Sequence, residues 1–322
     1  MHYTVMKEES IEALNLKEQG IYVDCTLGYA GDSQEILARV RKGFLFAFDQ
    51  DIEAINWSRN KLQAIGSNFL IIKSNFLYMK EELENNKIFQ ELCQVQGDDG
   101  NKKGGVDGIL FDLGVSSPQL DEDYRGFSFH KDARLDMRMD QNSDFSAFDV
   151  VNSYDEKKLA DIIFRFGEEK YAKSIARNIV LAKSNKPIET TFELVDIIKK
   201  SMPYKETLKS HPARRTFQAI RIEVNHELDI LEESLRKALT MLNVGGRIVV
   251  ITFHSLEDKI VKDVFKSVTD IPDVVKGLPN VPKEYLPDFI IINKKPITPS
   301  NKELEENNRS RSSKLRIIER IK

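Results

Sequence analysis

The sequence contains few of the residues and segments that mark secreted, membrane-embedded or zinc-binding proteins. It has two cysteines, Cys25 and Cys93, which form no Cys-x-x-Cys pair. This scarcity argues against a disulfide framework or a structural zinc site and favours a reducing compartment. No apolar run approaches the roughly 20 residues that a membrane-spanning helix needs, and the opening residues carry acids instead of a signal peptide's apolar region. We therefore expect a cytoplasmic protein without a metal site or a membrane anchor.

The chain also lacks a strong net charge. Its 48 basic and 51 acidic residues leave a formal charge of -3. That balance excludes a globally basic nucleic-acid coat, so any contact with RNA or DNA has to come from local patches. The 322 residues are enough for one large domain or two ordinary ones.

The first glycine-containing turn follows a short apolar strand over residues 21–26. Gly28 and Gly31 lie in this turn, and a helix with apolar residues at helical spacing comes next. Glycines let the backbone approach a ligand closely, and a helix N-terminus offers free N–H groups to it. The third glycine of a full Gly-x-Gly-x-x-Gly motif is absent, so the turn alone does not identify the ligand. Asp32 or Ser33 is expected to cap the helix.

The tips of the next two predicted strands carry candidate ligand contacts. The strand over residues 43–49 ends on Asp49, at a distance from the glycine turn that is typical of an acid binding ribose hydroxyls. The strand over residues 69–73 is followed by Phe76, which would stack on an adenine or, as aromatic residues more often do, belong to the core.

The stretch over residues 106–120 is the most informative in the chain. Its apolar run ends on Asp112, and a compact polar loop follows with Ser116, Ser117, Pro118 and Gln119. A buried strand that ends in an acid and a polar loop is how open α/β sheets present chemistry at their carboxyl edge. An ordinary turn after a strand would give a similar pattern.

The remaining segments predict the domain organisation. Helical patterns begin after residue 120, with capping boxes at residues 153–156 and 190–193. A further strand over residues 247–253 ends at His254, and two segments at 289–292 and 315–318 would close the sheet as an antiparallel hairpin. Successive βα units demand a parallel sheet with right-handed crossovers. We expect an α/β domain in two parts, 1–119 and 214–322, with a helical domain inserted at 120–213.

Together, the strand tips suit S-adenosylmethionine. The glycine turn would hold the amino-acid end of the cofactor, the acid would bind ribose, and the polar cluster would face the adenine and the reaction centre. A dinucleotide would use similar groups, but the missing third glycine and the absence of a second nucleotide-binding half weigh against NAD.

Long blocks of the sequence resemble the bacterial MraW/RsmH family. The blocks lie at residues 112–121, 125–129, 135–140, 211–227 and 251–258, and the likeness runs from His2 to the segment at 311–316. The resemblance implies a class I Rossmann-like S-adenosylmethionine-dependent methyltransferase with an inserted helical substrate-recognition domain. It further implies N4-methylation of a decoding-region cytosine in the 16S ribosomal RNA of the small ribosomal subunit.

The resemblance also implies the cofactor contacts. The matching positions are Ala30, Gly31, Asp32, Asp49, Phe76, Asp112 and Gln119. One departure stands out, because the family usually has Gly-Gly-His where this chain has Ala30-Gly31-Asp32. Ala30 would add a methyl group at a close approach, and Asp32 would add a negative charge near the methionyl carboxylate. Contacts through backbone N–H groups would survive both changes.

Methyl transfer to a cytosine N4 needs positioning and an acceptor for the amino proton. Asp112 and the backbone carbonyls of Ser116, Ser117 and Pro118 are the expected catalytic groups. His254 would relay the proton or serve as a hydrogen-bonded structural histidine. Phe127 or Phe129 would stack the target base, although packing within the helical domain would equally explain either ring.

RNA binding needs several cations together. The expected contacts are Lys170, Lys173 and Arg177 on one helix face, Arg214 and Arg215 before the next helix, and the basic tail with Arg309, Arg311, Lys314 and Arg316. For any single residue, a solvated surface is the simpler interpretation. Two other functions stay open from the residues alone, namely a non-catalytic RNA-binding ribosome-assembly factor and a NAD-linked oxidoreductase.

Overall fold

The chain divides into two compact units. A computed structural model describes residues 4–97, 105–208, 210–278 and 280–322. The sheet unit consists of Met1–Gly114 and Leu228–Lys322, and the helical unit consists of Val115–Glu227. The second boundary lies later than the expected 213/214 because the helix at Arg214–Asn225 packs with the helices of the inserted segment.

A seven-stranded sheet forms the centre of the sheet unit among the described residues. The strands are β1 (Ile21–Asp24), β2 (Phe44–Asp49), β3 (Phe69–Lys73), β4 (Val106–Asp112), β5 (Leu242–Thr252), β6 (Phe289–Ile291) and β7 (Lys314–Arg320). Their spatial order is β3-β2-β1-β4-β5-β7-β6. Strands β1 to β5 pair in parallel, whereas β7 is antiparallel to both β5 and β6. The predicted parallel α/β sheet and its closing antiparallel hairpin are therefore confirmed.

Helices connect the strands and build the second unit. They are α1 (Lys7–Ala13), α2 (Gly31–Arg39), α3 (Ile52–Gln63), α4 (Met79–Glu84), α5 (Lys87–Gly97), α6 (Ser117–Asp121), α7 (Ala147–Ser153), α8 (Glu156–Gly167), α9 (Ala172–Lys183), α10 (Thr191–Lys200), α11 (Tyr204–Thr207), α12 (Arg214–Asn225), α13 (Glu227–Met241), α14 (Ser255–Thr269) and α15 (Asn301–Glu306). Short 3₁₀ helices lie at Phe76–Tyr78, Asp123–Arg125, Asp273–Val275, Lys283–Tyr285 and Asn308–Ser312. Within the described ranges, none of the helices has both the length and the apolar character that a membrane crossing requires.

Apolar clusters cover both faces of the sheet. Along β1, Ile21 and Val23 belong to one cluster and Tyr22 to the other, because successive side chains of a strand point to opposite faces. Burial on both faces explains why β2 reads as an almost continuous apolar run. Since β1, β2 and β4 are parallel, the acids that end them lie at one edge of the sheet.

The helical unit has a core of its own, built from the apolar faces of α7 to α10 and α12. The capping box predicted at residues 190–193 is confirmed at Thr190 and Glu193. The one predicted at residues 153–156 is wrong, because Ser153 is the last residue of α7. Asp155 caps α8 instead, accepting a hydrogen bond from the Lys158 N–H at 2.7 Å.

Candidate active site

The turn between β1 and α2 begins with a strained residue. Ala30 precedes α2 with φ 62° and ψ 27°, in the left-handed region, and no side chain caps the helix. The predicted cap by Asp32 or Ser33 is therefore wrong. A non-glycine residue in this conformation costs on the order of 1–3 kcal/mol. The Ala30 methyl is fully buried in the apolar cluster that contains Leu27 and Ile36, so it packs into the core.

Asp24 ends β1 and is a site residue that the sequence analysis did not single out. Its side chain is buried, with Oδ1 accepting from the Thr26 N–H at 3.0 Å and Oδ2 accepting from the Ser33 hydroxyl at 2.6 Å. Burial raises the pKa of Asp24 above its usual value. The signal was present in the sequence, because an acid ends an apolar strand directly before the glycine turn.

Asp32 lies in the first turn of α2 and faces α1. Its Oδ1 accepts a hydrogen bond from the Ser10 hydroxyl at 3.0 Å. Burial, together with the nearby carboxyl of Asp24, raises the pKa of Asp32 to about 8. Asp32 is therefore mainly neutral at pH 7, and the negative charge that the sequence predicted at this turn is largely absent.

Asp49 joins the tip of β2 to the glycine turn. Its Oδ2 accepts from the Gly28 N–H and its Oδ1 from the Asp51 N–H, both at 2.8 Å. Burial raises the pKa of Asp49 to about 6. Each carboxylate oxygen can accept more than one hydrogen bond. A ligand hydroxyl can therefore be bound without breaking these backbone contacts.

Phe76 follows β3 at the same edge of the sheet. Its ring lies edge-on against Phe111 of β4, with centroids 5.6 Å apart, and it is half-buried against the core. This contact fixes the position of the ring and leaves part of it accessible.

Asp112 ends β4 and has the least satisfied side chain of the group. Its backbone N–H donates to the Thr26 hydroxyl at 2.8 Å, but its buried Oδ1 has no hydrogen-bond partner among the described residues. Burial raises the pKa of Asp112 well above its usual value, and the carboxyls of Asp32 and Asp24 raise it further. Leaving a buried acceptor without a donor costs roughly 1–3 kcal/mol. This edge of the sheet is thus arranged to receive a donor or a cation.

The polar loop after β4 belongs to the helical unit. Ser116 and Gln119 bond reciprocally, with the Ser116 N–H donating to Gln119 Oε1 at 3.0 Å and the Gln119 N–H donating to the Ser116 hydroxyl at 3.4 Å. The Ser116 carbonyl accepts from the Leu120 N–H at 3.3 Å. The side chains of Ser117 and Pro118 lie outside what the structure describes. The described contacts of Ser116 and Gln119 stabilise the N-terminus of α6.

His254 begins α14 as its capping residue. Its Nδ1 accepts from the Glu257 N–H at 3.4 Å, and Glu257 Oε2 accepts from the Phe253 N–H at 2.7 Å. The Nε2 atom lies 3.0 Å from Glu257 Oε1. The Nδ1 contact makes His254 a helix cap, but its buried Nε2 has no hydrogen-bond partner among the described residues, so the proton relay stays a prediction.

The predicted cations differ in their availability. Lys170, Lys173, Arg177, Arg214 and Arg215 are all exposed in the helical unit. Lys170 forms an ion pair with Glu206 at 3.1 Å. In the tail, Lys314 and Arg316 both bond to Asp258, at 2.9 and 2.6 Å, and Arg316 is buried. Because these two charges hold β7 to α14, they are less available to RNA than the exposed cations of the helical unit.

The two aromatic candidates for base stacking are also distinguished. Phe127 is 5% exposed and packs in the core of the helical unit beneath the Arg125 guanidinium. Phe129 is only half-buried and stacks on His211, with ring centroids 4.3 Å apart. A buried ring cannot receive a base, so only Phe129 retains this possibility.

Comparisons with known proteins identify relatives over the whole chain. The sequence model described as the MraW methylase family matches residues 1–321. The protein named ribosomal RNA small subunit methyltransferase H from Exiguobacterium sibiricum is 52% identical over 322 residues, which cover 100% of this chain and 98% of that protein.

Solved structures give weaker likenesses. An rRNA methylase from Streptococcus thermophilus is 12% identical with a TM-score of 0.41, and the match covers 98% of this chain and 94% of that one. A putative rRNA-methylase from Clostridium thermocellum is 14% identical with a TM-score of 0.44, covering 100% and 99%. Scores of this size support no conclusion about function.

Proposed function

This chain belongs to the MraW methylase family, and from that premise we propose that it methylates the N4 amino group of a decoding-region cytosine in 16S ribosomal RNA. S-adenosylmethionine is its cofactor. The name of the relative that is 52% identical along the whole chain supports the small ribosomal subunit as the source of the substrate. Membership in a methylase family also removes the ground for the NAD-linked alternative.

The observation that carries the proposal is the buried, unpartnered Oδ1 of Asp112 beside two other carboxyls. S-adenosylmethionine supplies an electrophilic methyl group on a positively charged sulfur when it is bound, and it also carries an ammonium group. Burial raises the pKa of Asp112 most and the carboxyls of Asp32 and Asp24 raise it further, so an adjoining cation would stabilise the ionised form of Asp112. The residues present therefore fit this cofactor.

We assign the cofactor contacts within the sheet unit to Ala30, Gly31, Asp32, Asp49, Phe76 and Asp112, and within the helical unit to Gln119. At the start of α2, backbone N–H groups would hold the methionyl carboxylate, as helix N-termini do for anions. A Cβ at Gly31 would overlap the Thr4 side chain, so this close packing requires glycine. Because the Ala30 methyl is buried and Asp32 is mainly neutral, neither departure from the family pattern opposes binding.

In the reaction, the cytosine N4 forms a bond to the methyl carbon as the carbon–sulfur bond breaks, and the amino group then releases one proton. Asp112 is the proposed acceptor for that proton, because its Oδ1 has no competing donor. The segment Ser116–Pro118 is proposed to orient the base. We assign His254 to positioning the start of α14, in keeping with its capping contacts.

The helical unit is proposed to recognise the RNA. Lys173 and Arg177 on α9, with Arg214 and Arg215 on α12, offer exposed charge for phosphates. Lys170 pairs with Glu206, and Arg215 lies near Glu169 and donates to the Glu168 carbonyl, so these two would contribute less.

Two measurements test the function. Calorimetric titration with S-adenosylmethionine should give one saturable site, and incubation with unmethylated small subunits should produce N4-methylcytidine on nucleoside analysis. Binding of the cofactor with methylation of another nucleoside would overturn the N4 assignment alone. Absence of both binding and transfer would restore the assembly-factor alternative.

A further inference from the structure

An exposed aromatic cluster lies beside the glycine turn, outside the carboxyl site. Trp57 on α3 is the only tryptophan in the chain, and 57% of its surface is exposed. The Tyr29 ring lies 5.8 Å from it between centroids, with the planes inclined at 58°. Lys61 Nζ lies 5.4 Å from the Trp57 ring centroid and 3.4 Å from the Tyr29 carbonyl oxygen.

From this cluster we propose that Trp57, Tyr29 and Lys61 form a single-stranded RNA-binding platform on the sheet unit, on which an unpaired base stacks against Trp57. The proposal rests on the proposed function, because it takes RNA as the substrate. Throughout, these three residues are called the Trp57 platform.

Packing of the fold does not explain the exposure of Trp57. The core-facing side of α3 consists of Ala54, Ile55, Ser58 and Leu62, which are all buried. Trp57 lies outside that set, and its indole leaves a large apolar surface in water. Exposed single apolar residues are common on proteins, but here a second aromatic ring and a cation adjoin the indole.

The chemistry of the cluster matches single-stranded RNA. Proteins that bind single strands combine aromatic rings, on which bases stack, with cations that follow the phosphates. Lys61 follows Trp57 by one helical turn on the same face, Glu53 precedes it by one turn, and Arg59 is exposed on another face of the helix. The Lys61 ammonium held beside the two rings favours a polyanion over a neutral apolar partner.

The platform is tied to the candidate cofactor turn. Ser58, next to Trp57, donates its hydroxyl to the Gly28 carbonyl at 2.8 Å. The Gly28 N–H donates in turn to Asp49. RNA held on Trp57 would therefore lie beside the turn that we assign to the cofactor.

Tryptophan fluorescence provides a direct test, since Trp57 is the only source of indole emission. Titrating the full-length protein with a short single-stranded oligoribonucleotide at low salt should quench that emission saturably. Lys61→Ala should weaken the titration, whereas Lys42→Ala, which removes a lysine 63% exposed elsewhere on the sheet unit, should not. Unchanged emission in the presence of the RNA overturns the platform and favours a protein-binding surface.

Substitution of the ring separates stacking from mere exposure. Fluorescence anisotropy of a labelled oligoribonucleotide should show about five- to 150-fold weaker binding by Trp57→Ala, the range expected for loss of one stacked base. Trp57→Phe should retain most of the affinity. Equal affinity of the wild type, Trp57→Ala and Trp57→Phe for the oligoribonucleotide overturns the proposal. Circular dichroism checks that the variants are folded, as expected for a residue on the helix surface.

The same variants distinguish this proposal from the proposed function. With small subunits as substrate, Trp57→Ala should raise KM for the subunit with kcat and the affinity for S-adenosylmethionine preserved. A protein that quenches with RNA but never transfers a methyl group would retain the platform and refute the methyltransferase. If the protein transfers methyl groups but Trp57→Ala changes neither KM nor RNA binding, the methyltransferase is retained and the Trp57 platform is refuted.

Discussion

The Ser10 hydroxyl donates a hydrogen bond to Asp32 Oδ1 across 3.0 Å, and both side chains are buried. This contact links α1 to the first turn of α2, directly after the glycine turn. Burial and the nearby Asp24 carboxyl raise the pKa of Asp32 to about 8, although the Ser10 hydrogen bond acts in the opposite direction. A neutral Asp32 is thus a property of the folded chain.

The raised pKa of Asp32 predicts a pH-dependent stability. Between pH 4 and pH 8, roughly, the folded protein keeps a proton on Asp32 that the unfolded chain has released, since an unfolded aspartate has a pKa of about 3.9. The free energy of unfolding should therefore fall as pH rises through this window. Asp32→Asn should reduce that fall in thermal denaturation, whereas Asp196→Asn, at a side chain 67% exposed, should leave it unchanged. Identical pH profiles for wild type and Asp32→Asn would contradict the assignment.

Cofactor binding should release protons. A cation beside Asp112, Asp24 and Asp32 lowers the pKa of carboxyls that burial has raised, so some of them ionise on binding. Calorimetric titrations near pH 7 in two buffers with different ionisation enthalpies should give different binding enthalpies. Asp32→Asn should release fewer protons. Enthalpies independent of the buffer would show that the cation does not reach these carboxyls.

Asp112→Asn should abolish most methyl transfer while the protein stays folded. An amide cannot take up the amino proton, and loss of a general base typically costs about 10²- to 10⁴-fold in rate. Stability should be kept or slightly raised, because the substitution removes a carboxyl among like charges. Methylation assays and thermal denaturation measure the two effects. Full activity in Asp112→Asn or Asp112→Ala would remove Asp112 from the mechanism.

Substitution of His254 separates capping from proton transfer. Asn also caps helices well, so His254→Asn should keep both stability and activity, whereas His254→Ala should lose about 0.5–2 kcal/mol of stability. An inactive but stable His254→Asn protein would instead identify His254 as the relay.

The helical unit should carry the salt-dependent part of RNA binding. Reversing the charges of Lys173, Arg177 and Arg214 should weaken binding and flatten its dependence on salt, by roughly 0.7 in the logarithmic slope for each lost phosphate contact to single-stranded RNA. The matched control is Lys42→Glu on the sheet unit, which should leave the slope unchanged. An unaltered slope in the triple variant would place the RNA elsewhere.

Much of the fold follows from local patterns. Apolar runs that end on Asp49 and Asp112 predict parallel strands because both of their faces are buried, and the polar residue marks where burial stops. The cap at Thr190 was equally readable, since a capping box is formed by residues three apart. At Ser153 the same pattern failed, because the chain placed a competing acceptor, Asp155, two residues later.

The sequence by itself determined which polar residues end the strands at the carboxyl edge of the sheet, and it determined the glycine turn and the family blocks. These features depend on residues that are neighbours along the chain. Only the tertiary structure decided the charge of Asp32, which depends on Ser10 and Asp24 from other elements. Folding likewise decided that Arg316 pairs with Asp258 and that Trp57 stays exposed beside Tyr29. The protonation of Asp32, the ion pair of Arg316 and the exposure of Trp57 depend on groups that folding brings close together from distant parts of the chain. The local sequence does not specify the distances between those groups.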